Sequence, residues 1–359
     1  MTITRAACIG GGVIGAGWVA RLVLNGVDVS IFDPDSEASR KVGEVMKNAR
    51  RAYKAMATGG LPNEGRITYA KSIADAVAGA DFIQESVPER LDLKYKVLAE
   101  IDLHAAPDAI VGSSTSGILP SDMQTAMKHG DRLVVAHPYN PVYLLPLVEI
   151  VGGKGTSKAA IEKAKALYAS IGMKPVVIRK EIEAFVGDRL LEAAWRESLW
   201  LIKDGICTVE ELDDIMRYGF GLRWAQMGMF QVYRVAGGEA GMRHFMAQFG
   251  PCLSWPWTKL MDVPEFNDEL VDLIATQSDD QSGKWSIREL EKIRDENLIA
   301  IMEALSKTNK GKGWGAGELH RDYVKKLGKM AAKKPLSKAA AKARAEKPKK
   351  RAATLKTKG

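Results

Sequence analysis

Short apolar runs alternate with amphipathic stretches over residues 4–180. Apolar runs of this length are typical of strands that a parallel sheet buries on both faces, and the amphipathic stretches between them fit helices that cover the sheet. The pattern therefore predicts a doubly wound α/β domain. Its predicted strands lie near Ala6–Ile9, Val29–Phe32, Phe82–Gln84, Ile110–Gly112, Leu133–Ala136, Leu147–Val151 and Pro175–Ile178.

The hydrophobic pattern changes between Arg179 and Glu183. From Ala184 to about Leu305 the apolar residues recur with the 3.6-residue period of a helix, which predicts that this half is mostly helical. We therefore expect a mostly parallel sheet domain over residues 1–182, followed by an all-α C-terminal domain over residues 183–322.

The basic charge of the chain is concentrated at its C-terminal end. The net charge is +8, but residues 323–359 hold 14 Lys and Arg against one acidic residue, so the preceding 322 residues carry a net charge of −5. This tail is rich in Ala and Lys and nearly without aromatic residues, which predicts a disordered, solvated extension. A nonspecific contact with a polyanion is the alternative, but nucleic-acid binding is disfavoured because the tail lacks aromatic platforms for base stacking.

The composition is that of a globular protein in water, with 46% hydrophobic and 27% charged residues. Charged residues interrupt each apolar stretch before it reaches the length of a membrane span, so we expect no membrane association. Cys8, Cys207 and Cys252 show no CxxC spacing. This disfavours a disulfide framework and a metal site, and it favours a reducing cytoplasm.

A glycine-rich motif lies between the first predicted strand and the helix that follows it. Gly10, Gly12 and Gly15 form the pattern GxGxxG, in which the first glycine makes a tight turn, the second lets a pyrophosphate approach the backbone and the third lets helix and strand pack closely. The motif predicts a Rossmann domain whose helix N-terminus faces the pyrophosphate. The predicted cofactor contacts in this segment are Gly10, Gly11, Gly12, Val13, Ile14 and Gly15.

Asp33 indicates which dinucleotide binds. It lies at the end of the second predicted strand, 18 residues beyond Gly15, where a carboxylate accepts a hydrogen bond from a ribose 2′-hydroxyl. The same carboxylate would repel a 2′-phosphate. We therefore expect NAD as the cofactor rather than NADP, and the absence of a second flavin-type segment disfavours FAD.

His137 and Glu149 are the predicted catalytic pair. His137 follows the fifth predicted strand, where doubly wound sheets bind ligands, and Glu149 interrupts an apolar strand, where a carboxylate is costly to bury without a partner. Paired with Glu149, His137 would take a hydroxyl proton as general base while hydride leaves the same carbon for NAD. The alternative is a turn histidine and an unrelated surface glutamate.

Taken together, these motifs resemble the 3-hydroxyacyl-CoA dehydrogenase family over about Gly10–Ile301. The features that carry the resemblance are the glycine motif, Ser113-Ser114-Thr115-Ser116, His137-Pro138-Tyr139-Asn140-Pro141, Glu149 and Phe185-Val186-Gly187-Asp188-Arg189-Leu190. The resemblance implies an NAD-binding Rossmann domain and a helical domain that forms a homodimer. It also implies that Ser116 joins the catalytic pair and that Glu89 and Lys94 lie near the nicotinamide ribose.

One departure from the family bears on the substrate. Asp188 stands where the family has Asn, which places a carboxylate near the expected substrate pocket and argues against an acyl-CoA. The segments Tyr218–Gly228 and Gly250–Trp257 resemble the branch of the family that oxidises the 3-hydroxyl of L-carnitine to 3-dehydrocarnitine. A 3-hydroxyacyl-CoA dehydrogenase, an L-gulonate-type 3-hydroxy acid dehydrogenase and a dinucleotide-binding structural or regulatory protein are the alternatives.

A trimethylammonium substrate needs a particular kind of site. Because this group donates no hydrogen bond, aromatic faces and a nearby carboxylate are the groups that recognise it. Core packing is the alternative role for each aromatic residue, and a surface ion pair is the alternative for the arginine. The candidate substrate residues are Tyr143, Asp188, Trp195, Phe220, Arg223 and Trp224.

Overall fold

The computed structural model describes residues 3–56, 61–225, 227–258, 260, 267–313, 317, 318 and 321. The chain divides into two compact units, Met1–Glu192 and Ala193–Gly359. The basic tail expected over residues 323–359 lies outside the described residues.

Within the described residues, the first unit is built on one eight-stranded sheet with the order β3-β2-β1-β4-β5-β6-β7-β8. Neighbouring strands are parallel except β6 and β7, which are antiparallel. All the predicted strands are present, and the short edge strand β3 is an addition. The strands are β1 (Arg5–Ile9), β2 (Asp28–Phe32), β3 (Ile67–Tyr69), β4 (Phe82–Glu85), β5 (Ile110–Ser113), β6 (Leu133–Pro138), β7 (Leu147–Gly152) and β8 (Lys174–Ile178).

Helices cover both faces of the sheet. Alternate residues of a strand point to opposite faces, and along β1 the side chains of Ala6 and Cys8 join one hydrophobic cluster while those of Ala7 and Ile9 join another. The doubly wound architecture predicted from the sequence is therefore confirmed. The helices that begin in this unit are α1 (Val13–Leu24), α2 (Ala38–Met56), α3 (Ile73–Val77), α4 (Leu91–His104), α5 (Pro120–Gln124), α6 (Lys158–Ser170) and α7 (Gly187–Lys203).

The second unit is helical in its described residues, as the sequence predicted. Thr208 caps helix α8 (Val209–Tyr218) and Ser286 caps helix α13 (Ile287–Ser306), each in a reciprocal capping box with a glutamate three residues later. No described helix combines the length and the apolar character that a membrane crossing requires. The helices are α8 (Val209–Tyr218), α9 (Phe220–Trp224), α10 (Met229–Ala236), α11 (Gly241–Phe249), α12 (Asp268–Ser282), α13 (Ile287–Ser306) and the short α14 (Thr308–Gly311).

Candidate active site

The three motif glycines occupy positions where a side chain would interfere with the turn or with a ligand. Gly10 has a φ of +100°, and a Cβ there would lie 2.5 Å from the carbonyl oxygen of Ser86. A Cβ on Gly15 would lie 1.9 Å from the carbonyl oxygen of Gly10, so the absence of a side chain lets α1 pack on the turn. A Cβ on Gly12 would meet nothing within 4 Å, which leaves its backbone open to a ligand.

A cavity of about 600 Å³ opens beside this turn, at the N-terminus of α1. No side chain caps that helix end, so its N–H groups are available to a pyrophosphate. Asp33 lines the cavity and accepts a hydrogen bond from the backbone N–H of Gly11 at 2.5 Å. The lining fits a dinucleotide, and it includes Gly10, Gly12, Val13, Ile14, Asp33, Ser86 and Val87.

His137 and Glu149 form a buried pair. The antiparallel register of β6 and β7 places the two residues directly opposite each other. His137 Nδ1 lies 3.0 Å from Glu149 Oε2, and the two residues are only 4% and 3% exposed. Glu149 Oε1 accepts hydrogen bonds from the backbone N–H groups of Val186 at 3.2 Å and Gly187 at 3.0 Å. The partner that the sequence required for a buried glutamate is therefore present.

The charge of Glu149 determines which nitrogen of His137 carries the proton. Burial opposes ionisation, but the hydrogen bonds from His137 and from the backbone of Gly187 and Val186 hold the pKa of Glu149 below its ordinary value. The carboxylate is therefore charged at neutral pH and accepts the Nδ1 proton of His137. In the neutral imidazole, this arrangement leaves Nε2 free to accept a proton.

Asp188 lies on the other side of the imidazole. Its Oδ2 is 3.4 Å from His137 Nε2, and the side chain is 26% exposed. Burial raises the pKa of Asp188, the attraction of His137 opposes that shift, and the charges of Glu149 and Glu192 add to it. A protonated His137 therefore has a carboxylate near each of its nitrogens, which stabilises the imidazolium form.

Tyr139 and Gly187 belong to the surroundings of the pair, although the sequence did not indicate them. The Tyr139 hydroxyl lies 3.5 Å from Glu149 Oε2, and its ring centroid is 5.1 Å from that of His137. A Cβ on Gly187 would lie 1.4 Å from that hydroxyl, so a larger residue at this position would displace the Tyr139 side chain. The sequence predicted no role for either residue, although Tyr139 lies in the motif that begins at His137 and Gly187 lies in the motif that begins at Phe185.

Glu89 contacts the loop that holds Ser116. Its Oε1 accepts hydrogen bonds from the backbone N–H groups of Ser116 and Gly117, both at 3.1 Å, and from the hydroxyl of Thr115. The contacts of the described residues do not join Ser116 to His137. The role of Ser116 in the catalytic set therefore stays a prediction.

Lys94 is buried beside the cofactor cavity in a contact that the sequence did not indicate. Its Nζ donates to both oxygens of Glu85, at 2.8 and 3.1 Å, and lies 3.6 Å from Glu89 Oε2. Ser113 also donates to Glu85, at 2.5 Å. The position of Lys94 relative to a nicotinamide ribose stays a prediction.

The candidate substrate residues fall in both units. Asp188 and Tyr143 belong to the first unit, where Tyr143 packs against the hydrophobic core. In the second unit, Trp195 is 58% exposed on α7, and the rings of Phe220 and Trp224 are in contact with centroids 4.6 Å apart on α9. Arg223 is an exposed residue of the same helix. Their part in substrate binding stays a prediction.

Known proteins are similar to this chain over most of its length. Models for the NAD binding domain and the C-terminal domain of 3-hydroxyacyl-CoA dehydrogenase match residues 5–182 and 185–263. The L-carnitine dehydrogenase of Mesorhizobium japonicum is 83% identical, and the match covers 93% of this chain and 92% of that protein. The L-carnitine dehydrogenase/betainyl-CoA thioesterase of a Rhizobium species is 65% identical over 90% of this chain, which spans 65% of that longer protein.

A solved structure is similar to most of this chain. It is the 5-formyl-3-hydroxy-2-methylpyridine 4-carboxylic acid 5-dehydrogenase, an NAD+ dependent dismutase, with a TM-score of 0.67 and 27% identity. The match covers 85% of this chain and 99% of that structure. The chain therefore belongs to the 3-hydroxyacyl-CoA dehydrogenase family and is an NAD-dependent oxidoreductase.

Proposed function

We propose that this enzyme oxidises the 3-hydroxyl of L-carnitine to 3-dehydrocarnitine with NAD, and that His137 is the general base. The observation that carries the proposal is the buried imidazole, with Glu149 3.0 Å from Nδ1 and Asp188 3.4 Å from Nε2. The 83% identity to a protein named L-carnitine dehydrogenase supports the same substrate. Nothing in the site favours the dinucleotide-binding regulator over an enzyme.

Glu149, His137 and Asp188 have different roles in the proposed reaction. Glu149 holds the Nδ1 proton of His137, so Nε2 takes the proton of the substrate hydroxyl. NAD, when bound, would accept the hydride that leaves the carbon bearing this hydroxyl. As His137 becomes positively charged, Glu149 and Asp188 stabilise it. General-base catalysis of this kind accelerates a reaction about 10²- to 10⁴-fold, and positioning of the reactants supplies the remainder.

The charge of the site supports a cationic substrate. Two carboxylates flank one imidazole, so the pocket is negatively charged when His137 is neutral. A trimethylammonium group is attracted by that charge, whereas the phosphates of an acyl-CoA gain nothing from it. Of the two carboxylates, Asp188 is the more exposed and is therefore the one that we assign to the cation.

The substrate assignment predicts a clear preference. With NAD, the enzyme is expected to reduce the cofactor rapidly on L-carnitine and much more slowly on 3-hydroxybutyryl-CoA or L-gulonate, because only carnitine carries a cation. The measurement is the absorbance of the reduced nicotinamide during steady-state turnover of each alcohol. Turnover of the thioester alone would show that the substrate assignment is wrong.

Removing the charge of Asp188 is expected to reduce selectivity for the cation. In Asp188→Asn, the ratio of kcat/KM for L-carnitine to that for 3-hydroxy-5,5-dimethylhexanoate, in which an uncharged tert-butyl group replaces the trimethylammonium group, should fall by about 10-fold, or ~1.4 kcal/mol. Because the pKa of Asp188 is raised, acidification should neutralise it before Glu149, so KM for carnitine should rise more steeply as pH falls in the native enzyme than in the variant.

Glu192→Gln is the matched control, since it removes a carboxylate one turn further along α7. The ratio is expected to change by less than about two-fold in that variant, because Glu192 lies one helical turn beyond the residue that we assign to the cation. Equal losses in the two variants would assign the selectivity to the general charge of the helix and not to Asp188.

We also infer that the enzyme works as a homodimer in the cytoplasm. Leu191, Trp195 and Leu199 are spaced four residues apart on α7 and are each at least half exposed, which supports an apolar face for a second copy. The family resemblance gives the same expectation. The cytoplasm is favoured by the three free cysteines.

A further inference from the structure

A chain of hydrogen bonds ends at the wall of the dinucleotide cavity. The hydroxyl of Tyr168 donates to Gln84 Oε1 at 2.7 Å, and Gln84 Nε2 donates to Ser114 Oγ at 2.7 Å. The indole Nε1 of Trp18 donates to the same Ser114 oxygen at 3.0 Å. Ser114 Oγ then lies 2.9 Å from Ser86 Oγ, and Ser86 lines the cavity.

The donors at the buried end set the direction of this chain. The indole N–H of Trp18 can only donate, so Ser114 Oγ accepts from it. Tyr168 is fully buried and its pKa is raised by that burial, so it keeps its proton and gives it to Gln84 Oε1. The amide oxygen of Gln84 is thereby oriented toward Tyr168, and its amide nitrogen donates to Ser114.

Ser114 must in turn donate to Ser86. A hydroxyl oxygen has two lone pairs, and those of Ser114 are used by Trp18 and Gln84. The proton of Ser114 therefore goes to Ser86 Oγ, the remaining oxygen within hydrogen-bond distance. Ser86 accepts this bond, so its own proton is available to a group in the cavity.

The location of Ser86 indicates which part of the cofactor it contacts. In the sheet, β1 lies between β2 and β4, the point at which the strand order reverses and a dinucleotide binds. Asp33 follows β2, on the side of the adenosine ribose, and Ser86 follows β4 on the other side of β1. The carbonyl group of Ser86 also packs against Gly10, which fixes its place beside the turn.

We propose that Ser86 donates a hydrogen bond to an oxygen in the nicotinamide mononucleotide half of NAD, the half that AMP lacks, with its direction set by the buried chain from Tyr168. Without the chain, the Ser86 hydroxyl could either donate to Ser114 or accept from it. The chain makes it an acceptor from Ser114, so its own proton is directed to the cofactor. This inference concerns the cofactor and is independent of which alcohol the enzyme oxidises.

The test is calorimetric titration of the substrate-free protein with NAD and with AMP. Ser86→Ala is expected to weaken NAD binding about 5- to 10-fold, the usual effect of losing one hydrogen bond, and to leave AMP binding within about two-fold. NAD binding within two-fold of the native value would overturn the proposal, and so would an equal loss for NAD and AMP. If the alanine variant does not fold, Ser86→Cys replaces it, because a thiol of similar size is a weak donor.

Tyr168→Phe tests the direction of the chain. Without the Tyr168 hydroxyl, Gln84 can turn its amide oxygen toward Ser114, and Ser86 then donates to Ser114 instead of to the cofactor. The variant is therefore expected to lose NAD affinity by more than about two-fold, but no more than Ser86→Ala does, and to leave AMP binding within about two-fold. NAD binding within about two-fold of the native value would overturn the assignment of the direction to Tyr168. Because no alcohol is present, these outcomes do not depend on the substrate proposal.

Discussion

His137→Ala is expected to lower kcat/KM for alcohol oxidation at least 100-fold and as much as about 10⁴-fold. The loss follows from removing the base while the positioning of the reactants is kept. His137 is not among the residues that line the glycine-rich cavity, so the affinity for NAD should change by less than about two-fold. Steady-state rates with saturating NAD and titration of the substrate-free protein measure the two quantities.

Two further variants separate chemistry from folding. His137→Ala leaves the buried Glu149 without its side-chain partner, which destabilises the fold. His137→Asn retains a donor for Glu149 but no base, so it should be more stable than the alanine variant and equally inactive. His129→Ala removes an exposed histidine and should keep native activity. Activity above half the native value in His137→Ala would remove His137 from its role.

The strands were predictable where hydrophobic burial alone determines them. Most predicted strands are apolar runs that the sheet buries, and such runs have few other stable placements. The edge strand β8 is only partly buried. The edge strand β3 (Ile67–Tyr69) has one half-buried residue followed by two exposed ones, so its pattern carries no apolar run. The antiparallel direction of β7 was also missed, because an apolar run does not indicate strand direction.

The pairing of His137 with Glu149 was predicted from the cost of burying a lone carboxylate, but its geometry depends on strand register. Their separation of twelve residues gives a contact only because β6 and β7 are antiparallel and in that register. The contacts of Val186 and Gly187 with Glu149 depend on a turn in which Ala184 and Phe185 have φ values of 59° and 51°. Residues with side chains rarely adopt such φ values, so sequence patterns do not predict this turn.

The contact of Asp188 with His137 Nε2 illustrates the same limit. The sequence placed a carboxylate near the substrate pocket, because Asp188 stands at a position where the family has Asn. The distance of 3.4 Å to the reactive nitrogen depends on the residue at which α7 begins, and that residue is set by the preceding turn. The chemical type of the site was therefore predictable, and its geometry required the structure.

Glu149→Gln is expected to lower kcat about 10²- to 10⁴-fold, although the side chain keeps its size. If the new amide turns its oxygen toward Val186 and Gly187, its nitrogen donates to His137 Nδ1. The proton of the neutral imidazole then lies on Nε2, which can no longer accept the substrate proton. If the amide turns the other way, its N–H₂ group faces two backbone N–H groups, which costs about 1–3 kcal/mol for each unsatisfied group. The first orientation therefore prevails.

The pH dependence of kcat distinguishes this tautomer effect from a simple loss of negative charge. A wrong tautomer is not corrected by raising the pH, so the loss in Glu149→Gln should persist at every pH at which the native enzyme is active. Glu181→Gln is the matched control, because Glu181 also accepts a backbone N–H and a hydroxyl, both from Ser121, and should keep native activity. A loss of less than 10-fold, or activity that recovers in alkali, would mean that Glu149 stabilises the charge of His137 without selecting the nitrogen that carries its proton.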